Sequence, residues 1–470
     1  MVANVKQKAL KESSLGFFEA IGQSLANISP TLTPALNMGA VVALAGQGTW
    51  AVYIIATIAL IIVGLNMSVL ASRFSAAGSF FVFISRSMGP IAGGMAGWSL
   101  ILAYLGTAMA LLAGLAIFVN NTLHPFGVQI PPAGSYLLFG TLAWYLAYRD
   151  IKLSSRISLA IESISVTVIT ALVFLVVGKN YDPATVHVQF AMQGAPLKGM
   201  FEGVVLAIFS FVGFESAVTL GKETRDPTRN IPRAVMGSML FAGAFFTVMA
   251  FLMVVAYRGN TTVFGNDAAP LETLLGFLGM EAFSAPLYAI ASMSLFACVL
   301  ASINAASRLL FSMGRYQFVH RSMGLVHGSH QTPHIAVTIS SILTVLGPVF
   351  LLGWGAMNTY AITGTVATFG FIFVYLLISL AAPIYLYKKR AMGPAALFMG
   401  ISGMVLMAGA FFGSVYPVPA YPFNILPYVF LAYLAAGGIL LVRIKRVSPV
   451  ILERVELDLE GSEGMVLGRK

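Results

Sequence analysis

The chain has 470 residues, of which 58% are hydrophobic and 9% are charged, and its mean hydropathy is +0.87. This composition excludes an ordinary water-soluble protein and predicts a protein with many membrane spans. The formal net charge is +10. In a soluble protein that excess would suggest nucleic acid as a partner, but here the basic residues stand in short segments between apolar runs, which indicates membrane topology instead.

A single cysteine, Cys298, excludes an internal disulfide. Six scattered histidines without a cysteine cluster argue against a structural metal site. We therefore expect neither a metal nor a cofactor, and only H+ or Na+ as a coupling ion. The first 15 residues are polar and are not followed by a short apolar core with a cleavage site, so we expect no cleaved signal peptide.

Apolar runs between charge and turn signals predict an all-α membrane protein with twelve transmembrane helices. A span needs about 20 apolar residues, and lipid leaves no place for unpaired backbone groups, so each span should be helical. The predicted spans are 16–45, 48–72, 91–120, 132–148, 153–177, 200–221, 232–257, 284–312, 334–354, 358–387, 393–415 and 424–443.

Lysine and arginine are distributed very unevenly between the two sides of this plan. Of the 27 such residues, all but Lys179, Lys198 and Arg258 are assigned to the side that carries both termini. The positive-inside rule then predicts that both termini are cytoplasmic. We expect the protein in the plasma (inner) membrane. The charged run 222–233 becomes a cytoplasmic loop, with prolines that end the sixth span and start the seventh at residue 232.

Two predicted spans carry helix-breaking residues where they should be most regular. In the first, ANISPTLTPALN (26–37) contains Pro30 and Pro34, and in the sixth, SFVGFES (210–216) contains Gly213. Interior proline costs a helix about 3 kcal/mol and glycine about 1 kcal/mol. If the first and second sets of five spans are copies of one unit, the second is inverted and the breaks correspond, which marks a midplane binding site in secondary transporters. Ordinary kinks remain the alternative.

This plan divides the chain into five segments. They are a cytoplasmic tail (1–15), a five-helix repeat (16–177), an inverted five-helix repeat (200–387), two further helices (393–443) and a second cytoplasmic tail (444–470).

Broken helices expose free N–H groups at one half-helix end and free C=O groups at the other. The first kind of end can hold a carboxylate, and the second an ammonium group or a cation.

Three segments resemble a known family. FSFVGFESAVTLGKETRDPTRNIPRA (209–234) resembles the span 6 signature of the amino acid–polyamine–organocation transporter superfamily. NAASRLLFSMGRYQFVHRSMGLVHGSHQTPH (304–334) resembles its segment from span 8 to span 9, and RFSAAGSFFVFISRSMGP (73–90) its Ala-Gly-Ser region before span 3. The resemblance implies a leucine-transporter-like five-plus-five inverted repeat with two extra helices. It also implies alternating-access transport of amino acids, polyamines or related organic ions by a permease acting as a symporter or an exchanger.

The resemblance and the two breaks together suggest where substrate binds. Phe209 matches the aromatic gate of the family, and Glu215 matches a carboxylate that senses protons or supports the unwound segment in some members. The predicted substrate-binding residues are Asn27, Ile28, Ser29, Thr31, Phe209, Phe211, Val212, Gly213 and Phe214.

The chain also departs from the family pattern. Many members carry a Gly-Ser-Gly stretch in span 1 whose amides bind the substrate carboxylate, whereas here Pro30 has no N–H and leaves Thr31 and later amides as donors. The loop after span 8 reads Gly-Arg-Tyr-Gln at 314–317, where Arg-Asp-Gly is common. Ser165 stands where many proton-coupled members have a lysine in span 5.

Span 5 offers a second carboxylate. Ser154, Ser158, Glu162 and Ser165 share one helical face, which should point into the bundle. An ionised carboxylate there costs roughly 2.5 to 3.5 kcal/mol on insertion scales. Glu162 and Glu215 are therefore candidates for carrying a coupling proton, and the alternative is that each is a static hydrogen-bond partner.

Two serines, Ser165 and Ser302, are candidates for a cation site, with helix packing as the competing interpretation.

Among functions, the prediction is a proton-coupled secondary transporter of amino acids or amines, with a small-molecule substrate and the lipid bilayer as its partners and no nucleic acid. An exchanger or a sodium-coupled carrier of the same fold remains open. A transporter-like sensor and an intramembrane enzyme are alternatives from other classes, and the second is disfavoured because all six histidines fall in loops or at span ends.

Overall fold

The computed structural model describes residues 13–74, 79–149 and 151–447. Most of both predicted tails, 1–12 and 448–470, and part of the family segment before span 3 lie outside the described residues. Within the described ranges, the chain is helical apart from turns and one isolated β-bridge between Leu15 and Thr224. The predicted all-α class is therefore confirmed for this part of the chain.

The α-helices of these ranges are numbered in chain order. They are α1 (Phe17–Ile28), α2 (Met38–Ala45), α3 (Thr49–Ala71), α4 (Ser79–Met88), α5 (Pro90–Leu123), α6 (Pro132–Arg149), α7 (Ile151–Asn180), α8 (Pro183–Phe190), α9 (Leu197–Phe209), α10 (Pro227–Ala256), α11 (Thr261–Gly265), α12 (Pro270–Leu278), α13 (Ser284–Arg315), α14 (His334–Phe350), α15 (Ala356–Lys388), α16 (Pro394–Val415) and α17 (Leu426–Val447).

Eight helical stretches of the described residues are long and apolar enough to cross a membrane. They are Phe17–Ala71, Pro90–Phe126, Ser154–Asn180, Pro227–Ala256, Glu281–Arg315, Ala356–Lys388, Pro394–Val415 and Phe423–Arg446. A shorter apolar helix covers His334–Phe350.

The predicted start of the seventh span is wrong. Helix α10 begins at Pro227 rather than at residue 232, and Pro232 lies inside the helix. Proline is favoured at the first helical position, because its missing N–H would have no partner there and its φ angle suits a helix. Pro227 therefore starts the helix, and Pro232 is accommodated one turn and a half later.

Helix α5 lies at the centre of the bundle and packs along both α13 and α15. Small residues let these helices approach closely. A Cβ added to Gly106 of α5 would lie 3.1 Å from the carbonyl oxygen of Thr363 in α15. Close backbone approach through small residues is a common way to pack helices inside a membrane.

Helices α16 and α17 pack on the outside of this core. α16 contacts α15 and α3, and α17 contacts α15 and α5. Trp98 of α5 stacks on Tyr433 of α17, and each side chain donates a hydrogen bond of 2.9 Å to the other residue's carbonyl oxygen. The last two helices are thereby fixed to the bundle through paired polar contacts at an apolar surface.

Helix ends gather at two opposite faces of the bundle. At one, the segment before α1 pairs with the segment before α10, and Leu15 packs with Ile151 at the start of α7. The Thr332 hydroxyl donates to the Tyr148 carbonyl at the end of α6 (2.7 Å). We call this the basic face, because Arg149, Arg156 and Arg225 lie on these segments. At the opposite face, the Gln47 amide donates to the Gly259 carbonyl (2.8 Å). Consecutive long helices therefore run between these two faces.

Candidate functional site

The predicted break in the first span is present. Helix α1 ends at Ile28, and Ser29 adopts a left-handed backbone conformation with φ of 48°. Pro30 follows and has no N–H with which to continue the helix. The chain turns helical again through a π-helical turn, Thr33–Asn37, that leads into α2. The polypeptide therefore leaves the helix at the place that the sequence indicated.

The predicted break in the sixth span is also present. Helix α9 ends at Phe209, and a short 3-10 segment resumes at Ser216–Leu220. Between them, Gly213 has a φ of +98°, a conformation that side-chain-bearing residues rarely adopt. A Cβ at this position would lie 2.4 Å from the Asn27 amide nitrogen. Only glycine fits, and its absent side chain lets the two breaks touch.

Asn27 stands at the junction of the two breaks and α13. Its carbonyl oxygen accepts from the Cys298 thiol at 3.1 Å, and its side-chain oxygen accepts from the Ser302 hydroxyl at 2.5 Å. Its amide nitrogen is buried, faces Gly213 and has no hydrogen-bond partner. Buried donors without partners are rare in folded proteins. This nitrogen is therefore available to an acceptor group on a ligand.

Glu162 closes the other side of the first break. One oxygen of its carboxyl group accepts from both the backbone amide and the hydroxyl of Thr31, at 3.1 Å each, and the other accepts from the Ser294 hydroxyl. Thr31 provides the first free N–H after Pro30, so the carboxyl group sits at the start of the second half-helix, where negative charge is favoured. The amide that the sequence analysis offered to a substrate carboxylate already has a carboxyl partner.

The polar stripe of span 5 faces the bundle, as its spacing predicted. Ser154, Ser158, Glu162 and Ser165 are each at most 2% exposed. The burial confirms the orientation of this face, and a role for Glu162 in proton coupling stays a prediction.

Glu215 lies at the end of the second break and is fully buried. The Tyr104 hydroxyl of α5 donates to one of its oxygens at 2.9 Å, and the Tyr375 hydroxyl of α15 donates to the other at 2.6 Å. The carboxyl group thus joins the break to two long helices of the core. This arrangement suits bracing of the unwound segment as well as proton exchange.

A cavity of about 560 Å³ opens between α2, α9, α15 and α16. Phe209 lines it, next to Tyr360, whose hydroxyl donates to the Asn37 side-chain oxygen at 2.7 Å. The Phe209 ring rests on Gly364, where an added Cβ would lie 2.9 Å from the ring. The cavity lies on the side of the breaks where α2 and α9 run toward the opposite face. Phe209 is the last residue of α9 before the second break.

The structure separates the predicted binding residues into two groups. Phe209 lines the cavity and is partly buried. The others are buried at the breaks and are not among the residues that line the cavity: Asn27, Ile28, Ser29, Thr31, Phe211, Val212, Gly213 and Phe214. Among them, Phe211 packs against Tyr53 and Phe246. Aromatic packing in the bundle therefore accounts for its position.

The two predicted cation-site residues do not come together. Ser165 donates to the carbonyl oxygens of Ile161 and Ile290, which ties α7 to α13, whereas Ser302 donates to Asn27. Ile290 and Ser302 are about 18 Å apart along α13 at 1.5 Å per residue. One ion cannot contact both serines. In the described part of the chain, no group of three or more His, Cys, Asp and Glu side chains is arranged to hold a metal ion.

The sequence analysis missed a buried ion pair. Glu223, which it assigned to a cytoplasmic loop, is 1% exposed and pairs with the fully buried Arg308 of α13. The signal that could have found it is the arginine itself, because a charge inside an apolar span requires a partner of opposite sign.

The chain matches known transport proteins over most of its length. The amino acid permease family model matches residues 20–438. The branched-chain amino acid permease of Bacillus subtilis (strain 168) is 25% identical over 371 residues, which are 74% of this chain and 77% of that protein. The low-affinity putrescine importer of Escherichia coli (strain K12) is 25% identical over 324 residues, or 66% and 70%. The methylthioribose transporter of Bacillus subtilis is 21% identical over 343 residues, or 69% and 72%. The family match includes both helix breaks and the buried carboxyl groups of Glu162, Glu215 and Glu223.

Proposed function

We propose, because this chain belongs to the amino acid permease family, that it is a secondary active transporter that moves amino acids or related amines by alternating access. Its relatives are named as carriers of branched-chain amino acids and of putrescine, two substrates that share an ammonium group. The observation that carries the proposal is the contact between two helix breaks at Gly213 and Asn27. Paired broken helices at one depth are the usual construction of a substrate site in secondary transporters.

Twelve spans and an inverted repeat fit this function. The first of the eight long apolar stretches, Phe17–Ala71, holds two spans, and α6, α14 and the broken α9 supply three more. The broken helices are then the first and the sixth, at corresponding positions of two five-helix units. An odd number of spans in each unit inverts the second relative to the first, which is a common construction of secondary transporters.

Substrate is held between the two breaks, beneath Phe209. The carboxyl group of Glu162 presents negative charge at the first break, which suits the ammonium group common to amino acids and amines. The unpartnered Asn27 nitrogen is a donor for a second polar group, such as the carboxylate of an amino acid. The Glu162 carboxyl group and the unpartnered Asn27 donor both lie at the first break and together fit a small zwitterion or amine.

Proton coupling is the favoured energy source, with Glu162 and Glu215 as the groups that exchange the proton. Both are buried and surrounded by hydroxyl donors rather than by basic side chains. A neutral carboxyl group is the less costly form in such surroundings, so each can alternate between states as water reaches it. Exchange of substrates and sodium coupling are the alternatives within the same fold.

The basic face is assigned to the cytoplasm, because lysine and arginine concentrate on the cytoplasmic side of membrane proteins. The cavity lined by Phe209 then lies toward the outside of the cell, and the structure corresponds to a state that is closed on the cytoplasmic side. Phe209 acts as the gate between this outer cavity and the substrate.

Reconstitution tests the proposal. Purified protein in liposomes is assayed for uptake of leucine, putrescine and methylthioribose under an inward proton gradient, and the same compounds are screened by thermal shift, since a ligand of the folded state raises its stability. Uptake of an amino acid or amine that a proton ionophore abolishes is expected. Binding without accumulation would indicate a sensor, and neither binding nor uptake across these compounds would overturn the proposal.

A further inference from the structure

Arg308 and Glu223 form an ion pair through two contacts between the guanidinium and carboxylate groups. The guanidinium Nε lies 2.5 Å from one carboxylate oxygen of Glu223, and Nη2 lies 3.0 Å from the other. The arrangement is bidentate, which is the strongest form of the contact. Arg308 is 0% exposed and Glu223 is 1% exposed. Neither charge has access to water in this state.

The same glutamate also holds the segment that precedes α1. Its backbone oxygen accepts from the Leu15 amide at 2.9 Å, and the Arg225 amide donates to the Leu15 carbonyl at 2.8 Å. Leu15 lies two residues before the start of α1, and Glu223 follows the 3-10 half of the sixth helix. The inner halves of both broken helices are therefore joined to each other and, through Glu223, to α13.

Arg308 extends this connection to α7. Its Nη1 donates to the Asn304 carbonyl at 3.2 Å, and the Asn304 amide donates to the Ser154 hydroxyl at 2.8 Å. Four elements thus meet within one polar cluster: α1, α7, α13 and the segment after the second break. The cluster lies between the breaks and the basic face.

We infer that Glu223 and Arg308 form an inner latch, a pair of positioning residues that keeps the basic face closed while the cavity beside Phe209 is open. The inference rests on the proposed transport function. A substrate bound at the breaks can leave through the basic face only if α1 and the 216–225 segment move away from α13. That movement must part Glu223 from Arg308 or release Leu15, because these contacts join the elements that would have to separate.

Removal of one charge of the latch should destabilise the state in which the basic face is closed. A buried pair with both charges present is satisfied, whereas removal of one partner leaves the other as an uncompensated buried charge. Glu223→Gln would leave Arg308 in that position, and opening of the basic face would return it to water. The variant should therefore populate the state open at the basic face, which the wild-type pair disfavours.

The single cysteine of the chain reports this change without an introduced cysteine. Cys298 is 1% exposed and donates to the Asn27 carbonyl at the first break, so a thiol reagent reaches it only along an open path. Inside-out vesicles are treated with a membrane-impermeant maleimide, and Cys298 modification is followed by mass shift. We expect Glu223→Gln to raise the labelling rate from the basic face at least fivefold and to lower substrate uptake by a similar factor.

Matched variants separate a latch from a purely structural role. Glu281→Gln removes an exposed acid near the start of α13 and should leave labelling and uptake at wild-type values. The charge swap Glu223→Arg with Arg308→Glu should restore slow labelling, and Glu223→Asp, which keeps the charge on a shorter side chain, should label at an intermediate rate. If Glu223→Gln does not fold, the swap and the Asp variant give the same comparison.

Unchanged side-specific labelling in the folded Glu223 variants, with wild-type uptake, would overturn the latch and leave the transport function intact. Loss of uptake without faster labelling from the basic face would also overturn it, since a structural defect would produce that result. Failure of the wild-type protein to transport any amino acid or amine would instead count against the proposed function.

Discussion

The Glu162 carboxyl group takes two hydrogen bonds from Thr31, one from the backbone amide and one from the hydroxyl, both at 3.1 Å. Glu162, in the fifth predicted span, is therefore the hydrogen-bond partner of a backbone amide that the break in the first span leaves without a helical partner. Pro30 removes the preceding donor, so Thr31 is the first backbone group able to bind an anion there. We therefore propose that Glu162 takes part in substrate recognition at this break, either as a partner of an ammonium group or as a proton acceptor.

The first prediction follows from this contact. Glu162→Gln keeps the size of the side chain and an acceptor oxygen for Thr31, but it can neither carry a charge nor exchange a proton at physiological pH. We expect uptake to fall at least tenfold and the remaining activity to lose its dependence on pH between about 5 and 8. The measurement is initial uptake into liposomes across that range.

Thr31→Val serves as the comparison, since it removes the hydroxyl bond and leaves the amide bond to Glu162. It should reduce uptake by less than Glu162→Gln and should preserve the pH profile. An unaltered rate and pH profile in both Glu162→Gln and Glu215→Gln would eliminate proton exchange at these two carboxyl groups.

The second prediction concerns the tyrosines that hold Glu215. Tyr375→Phe removes the 2.6 Å hydrogen bond and Tyr104→Phe removes the 2.9 Å bond from the opposite side. Each change leaves a buried carboxyl oxygen without its donor, at a cost of about 1 to 3 kcal/mol. We expect both variants to melt at lower temperature. The decrease in melting temperature of the double variant should differ from the sum of the two single decreases, because the bonds share one carboxyl group.

Thermal unfolding in detergent measures this effect. Tyr145→Phe is the control, because that tyrosine is 46% exposed on α6 and away from the break. Melting temperatures for Tyr375→Phe and Tyr104→Phe equal to that of the control would mean that Glu215 is not braced by these hydroxyls.

The positions of the two breaks were predictable because their causes are local. Pro30 cannot donate a hydrogen bond, and Gly213 can adopt a positive φ, so each interrupts a helix wherever the rest of the fold is placed. The inward orientation of Glu162 was predictable for a similar reason, since the four polar residues of its stripe recur at helical spacing.

What the sequence did not reveal depends on contacts between distant segments. Glu223 stands in a run of charged residues, and its neighbours along the chain are typical of a solvated loop. It is buried because Arg308, 85 residues later, lies opposite it in the fold. The start of α10 at Pro227 was misjudged because two prolines five positions apart compete for the first helical position, and local sequence does not decide between them.

A third prediction tests whether the breaks must touch. Gly213→Ala adds a methyl group 2.4 Å from the Asn27 amide nitrogen and imposes a side chain on a positive φ, which itself costs roughly 1 to 2 kcal/mol. We expect uptake to be lost almost completely while the protein still folds with a lowered melting temperature.

Gly178→Ala is the matched control for that change, since a Cβ there meets no atom within 4 Å. It should retain wild-type uptake and melting temperature. Normal uptake by Gly213→Ala would contradict a substrate site that depends on close contact between the two breaks.

The fourth prediction concerns the gate. Phe209 lines the 560 Å³ cavity, with its ring against Gly364 and near Tyr360. We propose this ring as the cover over bound substrate, so Phe209→Ala should let substrate escape more readily and raise KM about tenfold. Phe209→Trp should stay within about threefold of wild type, because an aromatic cover is retained. Phe201→Ala is the control, because Phe201 lies on the same helix and is 76% exposed.

Concentration-dependent uptake by the wild-type protein and the three variants separates KM from maximal rate. A KM for Phe209→Ala equal to that of Phe201→Ala would mean that the aromatic ring lines the cavity without closing the substrate site.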